Sequence, residues 1–383
     1  MHILEIPSFF DLHGGLFCLE QAKALQCQGH EVRILACSQV ALTVDGSFFL
    51  KARCDRWWEQ KEGVDVYRTY MRAMPRSVHW NMERWVRLVE SMYRDYVKRY
   101  GRPDVLHAQC GKWAGVATMR LSAEEKIPYF VTEHLSAGLL QKDFGKGWSR
   151  HVWAKDVLRE VYEKARCVIP VARELVDDMT PFFGNDYRYQ VISNIIDTDF
   201  FAFHQRLPLG GRPFRYCFIA RANIHLKGFD VMAEAWRKME EESSIPVELY
   251  MAGAGTDSKE ITDLFAGCRS VHGLGFRDKS QIRQLLYDSD ALVLPSRSEA
   301  QPLVILEALA TGIPVVATEI VPQSERIPGG CMIVPVGDAV SFAEAMKQVQ
   351  GTAPSEDFSR AVTGLASPQA VARQLTELFQ SAL

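Results

Sequence analysis

The sequence lacks any long apolar segment. No window of the chain approaches about 18 uninterrupted apolar residues, so no transmembrane helix is expected. The first residues, MHILEIPSFFDLHGG, carry charges within their apolar stretch and have no basic segment before it, which does not fit a secretory signal peptide. We therefore expect a cytoplasmic protein.

Cysteines with metal-ligand spacing and an excess of positive charge are also missing. The nine cysteines are scattered and contain no Cys-x-x-Cys pair, which favours reduced thiols and gives no reason to expect a zinc site. The 44 lysines and arginines stand against 47 acidic residues, for a net charge of −3. This balance predicts no nucleic-acid partner.

What the chain does contain is an alternation of short apolar segments and amphipathic segments. The clearest candidate helices are Leu16–Gln28 and Val78–Tyr100. Such alternation predicts parallel sheets with right-handed crossovers, hence an α/β protein with two doubly wound domains. The predicted strands are His2–Ile6, Val32–Ala36, Val64–Tyr70, Asp104–Ala108, Pro128–Thr132, Cys167–Val171, Phe214–Ala220, Val247–Ala252, Ser270–His272, Ala291–Leu294 and Val315–Ala317.

A turn-rich stretch near the middle of the chain, 194–211, predicts the boundary between these domains. We place an N-terminal domain at 1–200 and a C-terminal domain at 201–365. Residues 351–360, GTAPSEDFSR, predict a loop. The remaining segment, 366–383, predicts a final helix.

The most informative segment is 296–318, SRSEAQPLVILEALATGIPVVAT. Its loop follows one apolar strand and precedes a helix and a second strand, which places it where ligands bind in open α/β sheets. Pro302 suits a first helical turn, and the free N–H groups of Leu303 and Val304 would favour an anion such as phosphate. Glu299 lies in the loop, and Glu307 lies about one turn into the helix. Alternatively, Glu307 only complements the helix dipole.

This segment resembles the nucleotide-sugar site of the retaining glycosyltransferases of family 4, whose pattern is Ser-x-x-Glu, seven residues, Glu-Ala and then Gly-x-Pro-Val-Val. Ser296, Glu299, Glu307 and the residues 312–316 match it. Where the family usually has Gly-Phe-Gly, this chain has Ala300-Gln301-Pro302, so the Gln301 amide becomes a candidate contact for the donor sugar. The resemblance implies the GT-B fold, with two Rossmann-like domains facing a central cleft. It also implies that the C-terminal helix, in 366–383, packs back on the N-terminal domain.

Two cations follow the first predicted strand of the second half, in IARANIHLKGFD. Arg221 and Lys227 suit a diphosphate, because a guanidinium binds phosphate oxygens in a planar fork and an ammonium adds a compact charge. Taken alone, two such cations are typical of a solvated surface. The resemblance implies that both contact phosphate.

Three glycines after predicted strands mark the same half. Gly253 and Gly255 form only a partial dinucleotide fingerprint, which is a weak signal by itself. The resemblance implies that they border the nucleotide. It also implies that the backbone at 275–278, including Gly275 and Phe276, approaches the nucleobase.

In the first half, the resemblance singles out one turn and one histidine. Gly14 and Gly15 follow the first strand and allow close approach of a ligand, although a plain strand-to-helix turn explains them equally well. His134 ends the fifth strand beside Glu133, where a structural hydrogen-bonding role is the alternative. The family's histidine at this position contacts the transferred sugar.

The resemblance implies a role for each of these positions. Glu307 would hold the ribose hydroxyls, while His134 and Glu299 would act at the transferred sugar and are the predicted catalytic residues. The predicted donor-binding residues are Gly14, Gly15, Arg221, Lys227, Gly253, Gly255, Gly275, Phe276, Ala300, Gln301, Pro302, Leu303, Val304 and Glu307.

No catalytic metal and no cofactor are predicted. The doublets Asp197-Thr-Asp199 and Asp288-Ser-Asp290 look like the Asp-x-Asp metal motif of another glycosyltransferase fold. Neither comes with the further oxygen ligands that a divalent cation requires. The donor, a nucleotide-diphosphate sugar, is a substrate.

The segment 72–99 is basic and aromatic, with seven Arg/Lys against three acids and with Trp80, Trp85, Tyr93 and Tyr96 among them. A basic amphipathic helix of this kind can lie on the inner face of a membrane and receive a lipid-linked acceptor. The alternative is a helix that packs on the domain and exposes its charged face.

Together these patterns predict a retaining, metal-independent glycosyltransferase. It would move a sugar from a UDP- or GDP-sugar to a glycan or lipid-linked glycan, in surface polysaccharide synthesis. The alternatives are a sugar-nucleotide epimerase and a non-catalytic nucleotide-sugar-binding protein on the same scaffold.

Overall fold

A computed structural model of the chain describes residues 1–10, 16–145, 151–206 and 210–383. The chain divides into two compact units. Unit 1 comprises Met1–Ile195 and Pro368–Leu383, and unit 2 comprises Ile196–Ser367. The boundaries drawn from the sequence, after residues 200 and 365, fall within a few residues of these divisions.

Unit 1 is built on a seven-stranded sheet with the order β3-β4-β2-β1-β5-β6-β7 among the described residues. Neighbouring strands are parallel except at one edge, where β3 pairs antiparallel with β4. The sequence prediction missed β3, so its all-parallel sheet is wrong at that edge. The strands are β1 His2–Pro7, β2 Glu31–Val40, β3 Trp57–Lys61, β4 Val64–Arg72, β5 Val105–Gln109, β6 Tyr129–Glu133 and β7 Cys167–Pro170.

Helices cover both faces of this sheet. Successive residues of a strand face opposite sides, so on β2 the buried Leu35 belongs to one apolar cluster while Ile34 and Ala36 belong to the other. The helices of the first part of unit 1 are α1 Phe17–Cys27, α2 Leu42–Asp45, α3 Phe48–Lys51, α4 Val78–Tyr100, α5 Val116–Glu125, α6 Ala137–Phe144, α7 Lys155–Lys164 and α8 Arg173–Phe183.

Unit 2 contains a six-stranded parallel sheet with the order β10-β9-β8-β11-β12-β13 in the described part of the chain. Its strands are β8 Phe214–Ile219, β9 Val247–Ala252, β10 Val271–Gly275, β11 Ala291–Leu294, β12 Val315–Thr318 and β13 Cys331–Val334. Its helices are α9 Ile224–Lys227, α10 Phe229–Glu242, α11 Lys259–Leu264, α12 Lys279–Asp288, α13 Leu303–Ala310, α14 Ala339–Val349 and α15 Glu356–Ala366.

The last helix, α16 (Pro368–Gln380), belongs to unit 1. Its buried Val371, Leu375 and Phe379 join the same apolar cluster as residues of α1. The Phe379 ring lies 4.7 Å from the ring of Phe130 on β6, measured between centroids. The final helix therefore packs on the sheet of the N-terminal unit.

The predicted loop at 351–360 is confirmed for 351–355 and wrong from Glu356 onward, where α15 begins. The hydroxyl of Ser355 accepts a hydrogen bond from the Asp357 N–H at 3.1 Å and so caps this helix. The buried Phe358 and Val362 then anchor α15 in the core of unit 2.

The basic segment 72–99 contains α4, which begins at the predicted residue. Its Trp85, Tyr93 and Tyr96 are buried in the apolar core of unit 1. The Trp85 indole donates to the Cys37 carbonyl at 2.7 Å. Three of the four aromatic rings that suggested a membrane surface are therefore core residues, and Trp80 alone of the four is exposed. In the part of the chain that the structure describes, no helix is long and apolar enough to cross a membrane.

Candidate functional site

Each sheet has a point where the strand order reverses, and ligands of open α/β sheets bind at such points, outside the carboxyl ends of the strands. In unit 2 the reversal falls between β8 and β11, which pair in parallel. The segment after β8 carries Arg221 in a loop and Lys227 at the end of the short helix α9, and the loop after β11 carries Glu299. The predicted donor residues therefore come from the two strands that flank the reversal.

The structure brings two of these residues into contact. The Lys227 ammonium, at the end of α9, forms an ion pair with Glu299 Oε1. The same oxygen accepts a hydrogen bond from the Ser296 hydroxyl at 2.9 Å. Both side chains of the ion pair are largely removed from solvent, at 22% and 14% exposure. A cation and an acceptor for hydroxyl groups thus lie side by side.

Gly228 allows the two loops to approach. Its φ angle is +70°, and a Cβ at this position would lie 2.0 Å from the Pro295 carbonyl oxygen. Only glycine tolerates both the left-handed conformation and this contact. The Lys-Gly pair therefore places Lys227 directly beside the loop that carries Glu299.

A second ion pair, which sequence reasoning missed, ties the same loops together. The Arg297 guanidinium binds both carboxylate oxygens of Asp230 at 2.7 Å and also donates to the His225 carbonyl at 2.7 Å. The Arg297 guanidinium lowers the pKa of the Asp230 carboxyl below its usual range. No local sequence pattern predicts this ion pair, because its two residues are 67 positions apart.

The glycines of unit 2 also mark close backbone approaches. Gly253 has a φ of +139°, and a Cβ there would lie 2.1 Å from the Ala220 carbonyl oxygen. Its N–H donates to the Gly275 carbonyl at 2.9 Å. Gly255 and Gly275 adopt positive φ as well. The ends of β8, β9 and β10 are thereby held together.

Two predicted residues in this region are open to solvent. Arg221 is exposed, and none of the described residues forms an ion pair with it. The Phe276 side chain is 73% exposed directly after β10. A guanidinium and an aromatic face are therefore available to a ligand at this edge of the sheet.

The helix that follows the Glu299 loop begins at Leu303, with Pro302 as its N-cap. The amides of Leu303 and Val304 lie in its first turn, whose N–H groups have no carbonyl partner within a helix. Burial raises the pKa of the Glu307 carboxyl to about 7, and Lys279 partly opposes this shift. An acid that titrates near neutrality is typical of a functional position.

Between Glu299 and this helix, Ala300 and Gln301 are half-buried. The Gln301 amide donates to Glu325 at 2.6 Å, and Glu325 is fully buried. This hydrogen bond occupies the amide group that the sequence interpretation directed towards the donor sugar.

In unit 1 the strand order reverses between β1 and β5. The predicted Gly14 and Gly15 follow β1 but lie outside the described residues. His134 follows β6, and its ring stacks on Phe17 of α1 with the centroids 4.6 Å apart. Burial lowers the pKa of His134 to about 3, with a smaller contribution from His107. His134 is therefore neutral at physiological pH and acts as a hydrogen-bonding group.

The neighbouring Glu133 is fully buried and has a structural role. Its carboxylate accepts hydrogen bonds from the Gly111 N–H at 2.9 Å, the His134 N–H at 2.9 Å and the Tyr162 hydroxyl at 2.8 Å. Burial raises the pKa of Glu133, although these donors oppose the shift. Glu133 thus orients the backbone of His134.

Comparison with known proteins matches both units to one family. Residues 14–194 match the glycosyl transferase 4-like domain, and residues 213–351 match the domain of glycosyl transferases group 1. The chain belongs to the GT-B glycosyltransferases of the family 4 type.

Among the sequence relatives of this chain is TuaC of Bacillus subtilis (strain 168), which is named as a glycosyltransferase of teichuronic acid biosynthesis. The two are 26% identical over 278 residues, which is 69% of this chain and 65% of TuaC. Glycogen synthase of Mycobacterium tuberculosis (strain H37Rv) is 28% identical over 258 residues, covering 66% of this chain and 61% of the synthase. The chain thus matches somewhat less than two thirds of the length of these relatives.

The fold is shared with solved glycosyltransferase structures. Sucrose-phosphate synthase from Thermosynechococcus elongatus superposes with a TM-score of 0.77 at 17% identity, over 100% of this chain and 99% of the synthase. The two Rossmann-like domains of the chain are therefore those of the GT-B fold.

The two Asp-x-Asp doublets of the chain have structural partners. Asp290 binds both terminal nitrogens of Arg212 at 2.7 Å. Asp197 accepts a hydrogen bond from the Phe200 N–H at 3.1 Å and pairs with Lys279. Among the residues that the structure describes, no group of three or more His, Cys, Asp or Glu side chains could hold a metal ion.

Proposed function

We propose that this chain is a retaining, metal-independent transferase that moves a sugar from a UDP- or GDP-sugar to a glycan or lipid-linked glycan. The observation that carries this proposal is the Lys227–Glu299 pair at the strand reversal of unit 2. One member suits a phosphate and the other suits sugar hydroxyls, and they lie in direct contact.

The leaving group sets the electrostatic requirement. Breaking the bond between sugar and diphosphate leaves negative charge on the phosphate oxygens, which positioned donors stabilise. Lys227, Arg221 and the amides of Leu303 and Val304 supply such donors in unit 2. These groups would stabilise the negative charge of the departing diphosphate, which a metal ion stabilises in other transferases.

The carboxylates would hold the two sugars of the donor. Glu307, one turn into α13, would accept hydrogen bonds from the ribose hydroxyls once it is ionised. Glu299 would accept hydrogen bonds from hydroxyls of the transferred sugar. In unit 1, the Nδ1 atom of His134 is buried and has no hydrogen-bond partner within the described residues, so it can accept from a sugar hydroxyl.

Retention of the anomeric configuration requires either a double displacement or attack of the acceptor from the leaving-group side. Glu133 does not serve as a nucleophile, because three donors already occupy its buried carboxylate. We assign no covalent nucleophile. The acceptor would attack beside the departing diphosphate, whose oxygen would take the proton.

For the acceptor, unit 1 offers an open groove of about 1520 Å³ at the carboxyl ends of β2 and β4. The His79 and Trp153 rings stack there at 4.3 Å, and Trp80 is half-exposed beside Arg84, whose guanidinium lies 4.6 Å from the indole centroid. Aromatic faces with cations between them suit a glycan bearing phosphate. A peripheral membrane contact, if the acceptor is lipid-linked, would use this end of α4.

Two comparisons support the substrate classes. The Bacillus subtilis relative is named for teichuronic acid biosynthesis. The Anabaena protein HepE, solved in complex with UDP and glucose, superposes with a TM-score of 0.68 at 17% identity over 100% of both chains.

The proposal is tested by incubating the protein with a panel of UDP- and GDP-sugars in EDTA, together with glycan and lipid-linked acceptors, and measuring release of UDP or GDP. We expect release from one donor that depends on an acceptor, with NMR showing the donor's anomeric configuration in the product. Binding without release would identify a non-catalytic nucleotide-sugar protein. Conversion of the donor without an acceptor would identify an epimerase.

The proposed peripheral membrane contact is tested separately, by sedimentation of the protein with vesicles of anionic lipid. We expect Trp80→Ala to weaken sedimentation if the acceptor is lipid-linked. Equal recovery in the supernatant with and without vesicles would reject the contact.

A further inference from the structure

A connected set of buried polar side chains crosses three neighbouring strands of unit 1. Its members are Glu5 on β1, His107 and Gln109 on β5, and His134 after β6. Glu5 and His107 are fully buried, and Gln109 is 5% exposed. Buried polar groups are almost always hydrogen-bonded, so the direction of each hydrogen bond in this set can be deduced from its partner.

Glu5 determines the orientation of its two neighbours. Its Oε1 lies 2.8 Å from His107 Nδ1, and its Oε2 lies 3.0 Å from Gln109 Nε2. An ionised carboxylate only accepts hydrogen bonds, so both facing nitrogens must donate. The amide of Gln109 therefore turns its NH₂ group towards Glu5. The same NH₂ group donates to Gln21 Oε1 at 2.7 Å.

This orientation directs the amide oxygen of Gln109 to His134. Gln109 Oε1 lies 3.1 Å from His134 Nε2. An amide oxygen only accepts, so His134 Nε2 must carry a proton. A neutral imidazole has a single N–H, which leaves Nδ1 of His134 with a lone pair. This atom is buried and has no partner among the described residues.

We propose that Glu5 selects the tautomer of His134 through Gln109, so that His134 presents an unprotonated Nδ1 that accepts a hydrogen bond from a substrate hydroxyl. Glu5 and Gln109 are positioning residues, since they act through His134. The tautomer is a property of the protein alone. Its use by a sugar hydroxyl rests on the proposed function.

The tautomer determines which substrate group His134 can contact. A lone pair at Nδ1 accepts from a hydroxyl and offers nothing to a carbonyl or a phosphate oxygen, whereas the opposite tautomer would donate to these oxygens. A buried acceptor left unpaired also discriminates strongly against an analogue without the hydroxyl. The buried carboxylate of β1 would thus contribute to recognition of the sugar without contacting it.

The direct test is NMR of the full chain labelled with ¹⁵N-histidine, at neutral pH and without substrate. Long-range ¹H–¹⁵N correlations distinguish protonated from unprotonated ring nitrogens, and the signals lost in His134→Ala identify His134. We expect a protonated Nε2 and an unprotonated Nδ1. A protonated Nδ1 in the unmodified protein would overturn the proposal.

Two variants test the role of Glu5. In Glu5→Gln, a neutral amide can donate to Gln109 and allow its amide to reverse, so we expect a gain of the Nδ1–H form of His134. The matched control is Gln21→Leu, which removes the other partner of the same NH₂ group but keeps Glu5, and here the tautomer should not change. An unchanged tautomer in Glu5→Gln would reject the role of Glu5.

If Glu5→Gln does not fold, Gln109→Met replaces it, because it removes the acceptor of the Nε2 proton at similar volume. We then expect both tautomers of His134 to be populated. Retention of the Nε2–H form alone would reject the role of Gln109.

Kinetics separate the inference from the proposed function. We expect Glu5→Gln to lower kcat at least tenfold while the dissociation constant of UDP or GDP stays within twofold. An unchanged kcat would overturn the catalytic part of the proposal. If the unmodified protein transfers no sugar but His134 carries the expected tautomer, the proposed function fails while the inference about Glu5 stands.

Discussion

Lys227 and Glu299 form an ion pair although they lie 72 positions apart in the chain. The contact arises because β8 and β11 are neighbours in the sheet, so the loops that follow them emerge side by side. In the structure, each of these two side chains is the charged partner of the other. A bound diphosphate would compete with Glu299 for the ammonium, which gives the two residues opposite effects on nucleotide affinity.

Lys227→Ala should weaken the binding of UDP or GDP. Hydrogen bonds to charged groups contribute about 1.5–3 kcal/mol, which corresponds to roughly a 10- to 150-fold rise in dissociation constant. Calorimetric titration measures the change. The control is Lys259→Ala on α11, which removes an exposed ammonium paired with Asp263. Equal affinities of Lys227→Ala and the unmodified protein would show that Lys227 does not contact phosphate.

Glu299→Gln should change affinity in the opposite direction. It removes the carboxylate that competes for Lys227, so UDP or GDP should bind more tightly, by about fivefold if the ion pair contributes about 1 kcal/mol. Turnover should fall, because Glu299 no longer accepts from the sugar as an anion. Weaker nucleotide binding in this variant would contradict the competition.

Gly228→Ala should destabilise the protein by more than a strained backbone alone explains. Its Cβ would lie 2.0 Å from the Pro295 carbonyl oxygen, whereas a Cβ at Gly267 would have no heavy atom within 4 Å although Gly267 also has a positive φ. Left-handed strain costs about 1–2 kcal/mol at either position. Urea denaturation of both variants should show the larger loss at Gly228, and equal losses would show that the two loops are not in close contact.

Nucleotide affinity should rise with pH near neutrality. Desolvation raises the pKa of the partly buried Glu307 to about 7, and only its ionised form accepts hydrogen bonds from ribose hydroxyls at both carboxylate oxygens. Titrations between pH 6 and 8 should show tighter binding at higher pH, and Glu307→Gln should flatten this dependence. An equally steep dependence in Glu307→Gln would assign the titration to another group.

The raised pKa of Glu307 also makes the stability of the protein depend on pH. A folded-state pKa above the unfolded value means that the native state binds more protons between about pH 4.5 and pH 7, so this group makes the free energy of unfolding fall as pH rises through that interval. Glu307→Gln should remove this part of the decline. Denaturation at pH 5 and pH 8 measures it.

Local patterns predicted much of the fold. The apolar repeat of Val78–Tyr100 ends at Gly101, and the structure gives the same helix bounds. The loop predicted at 351–360 extended into helix α15 because Gly, Pro, Ser and Asp favour both turns and helix starts. The β3 strand, WWEQK, was missed because its residues at the sheet edge are nearly all only partly buried, so it shows no alternation of buried apolar and exposed polar residues.

In the candidate site, the sequence predicted which residues follow a strand, whereas contacts that depend on the strand order could not be predicted. Lys227 and Glu299 were identified singly, but their contact depends on the adjacency of β8 and β11. The Arg297–Asp230 pair and the Glu5–Gln109–His134 set share this property. No local sequence pattern distinguishes these side chains, because their contacts form only when the sheet brings distant segments together.

The central claim is that unit 2 binds a nucleoside diphosphate without a metal. The most direct measurement compares thermal unfolding with UDP, GDP and ADP, each in EDTA and then in magnesium. A ligand at 100 times its dissociation constant stabilises the native state by about 2.7 kcal/mol. We predict a rise in Tm with UDP or GDP that persists in EDTA. In Lys227→Ala, at the same ligand concentration, the stabilisation should fall to about half or less, because a tenfold weaker ligand leaves about 1.4 kcal/mol. No rise with any nucleotide, or a rise only with magnesium, would contradict the account.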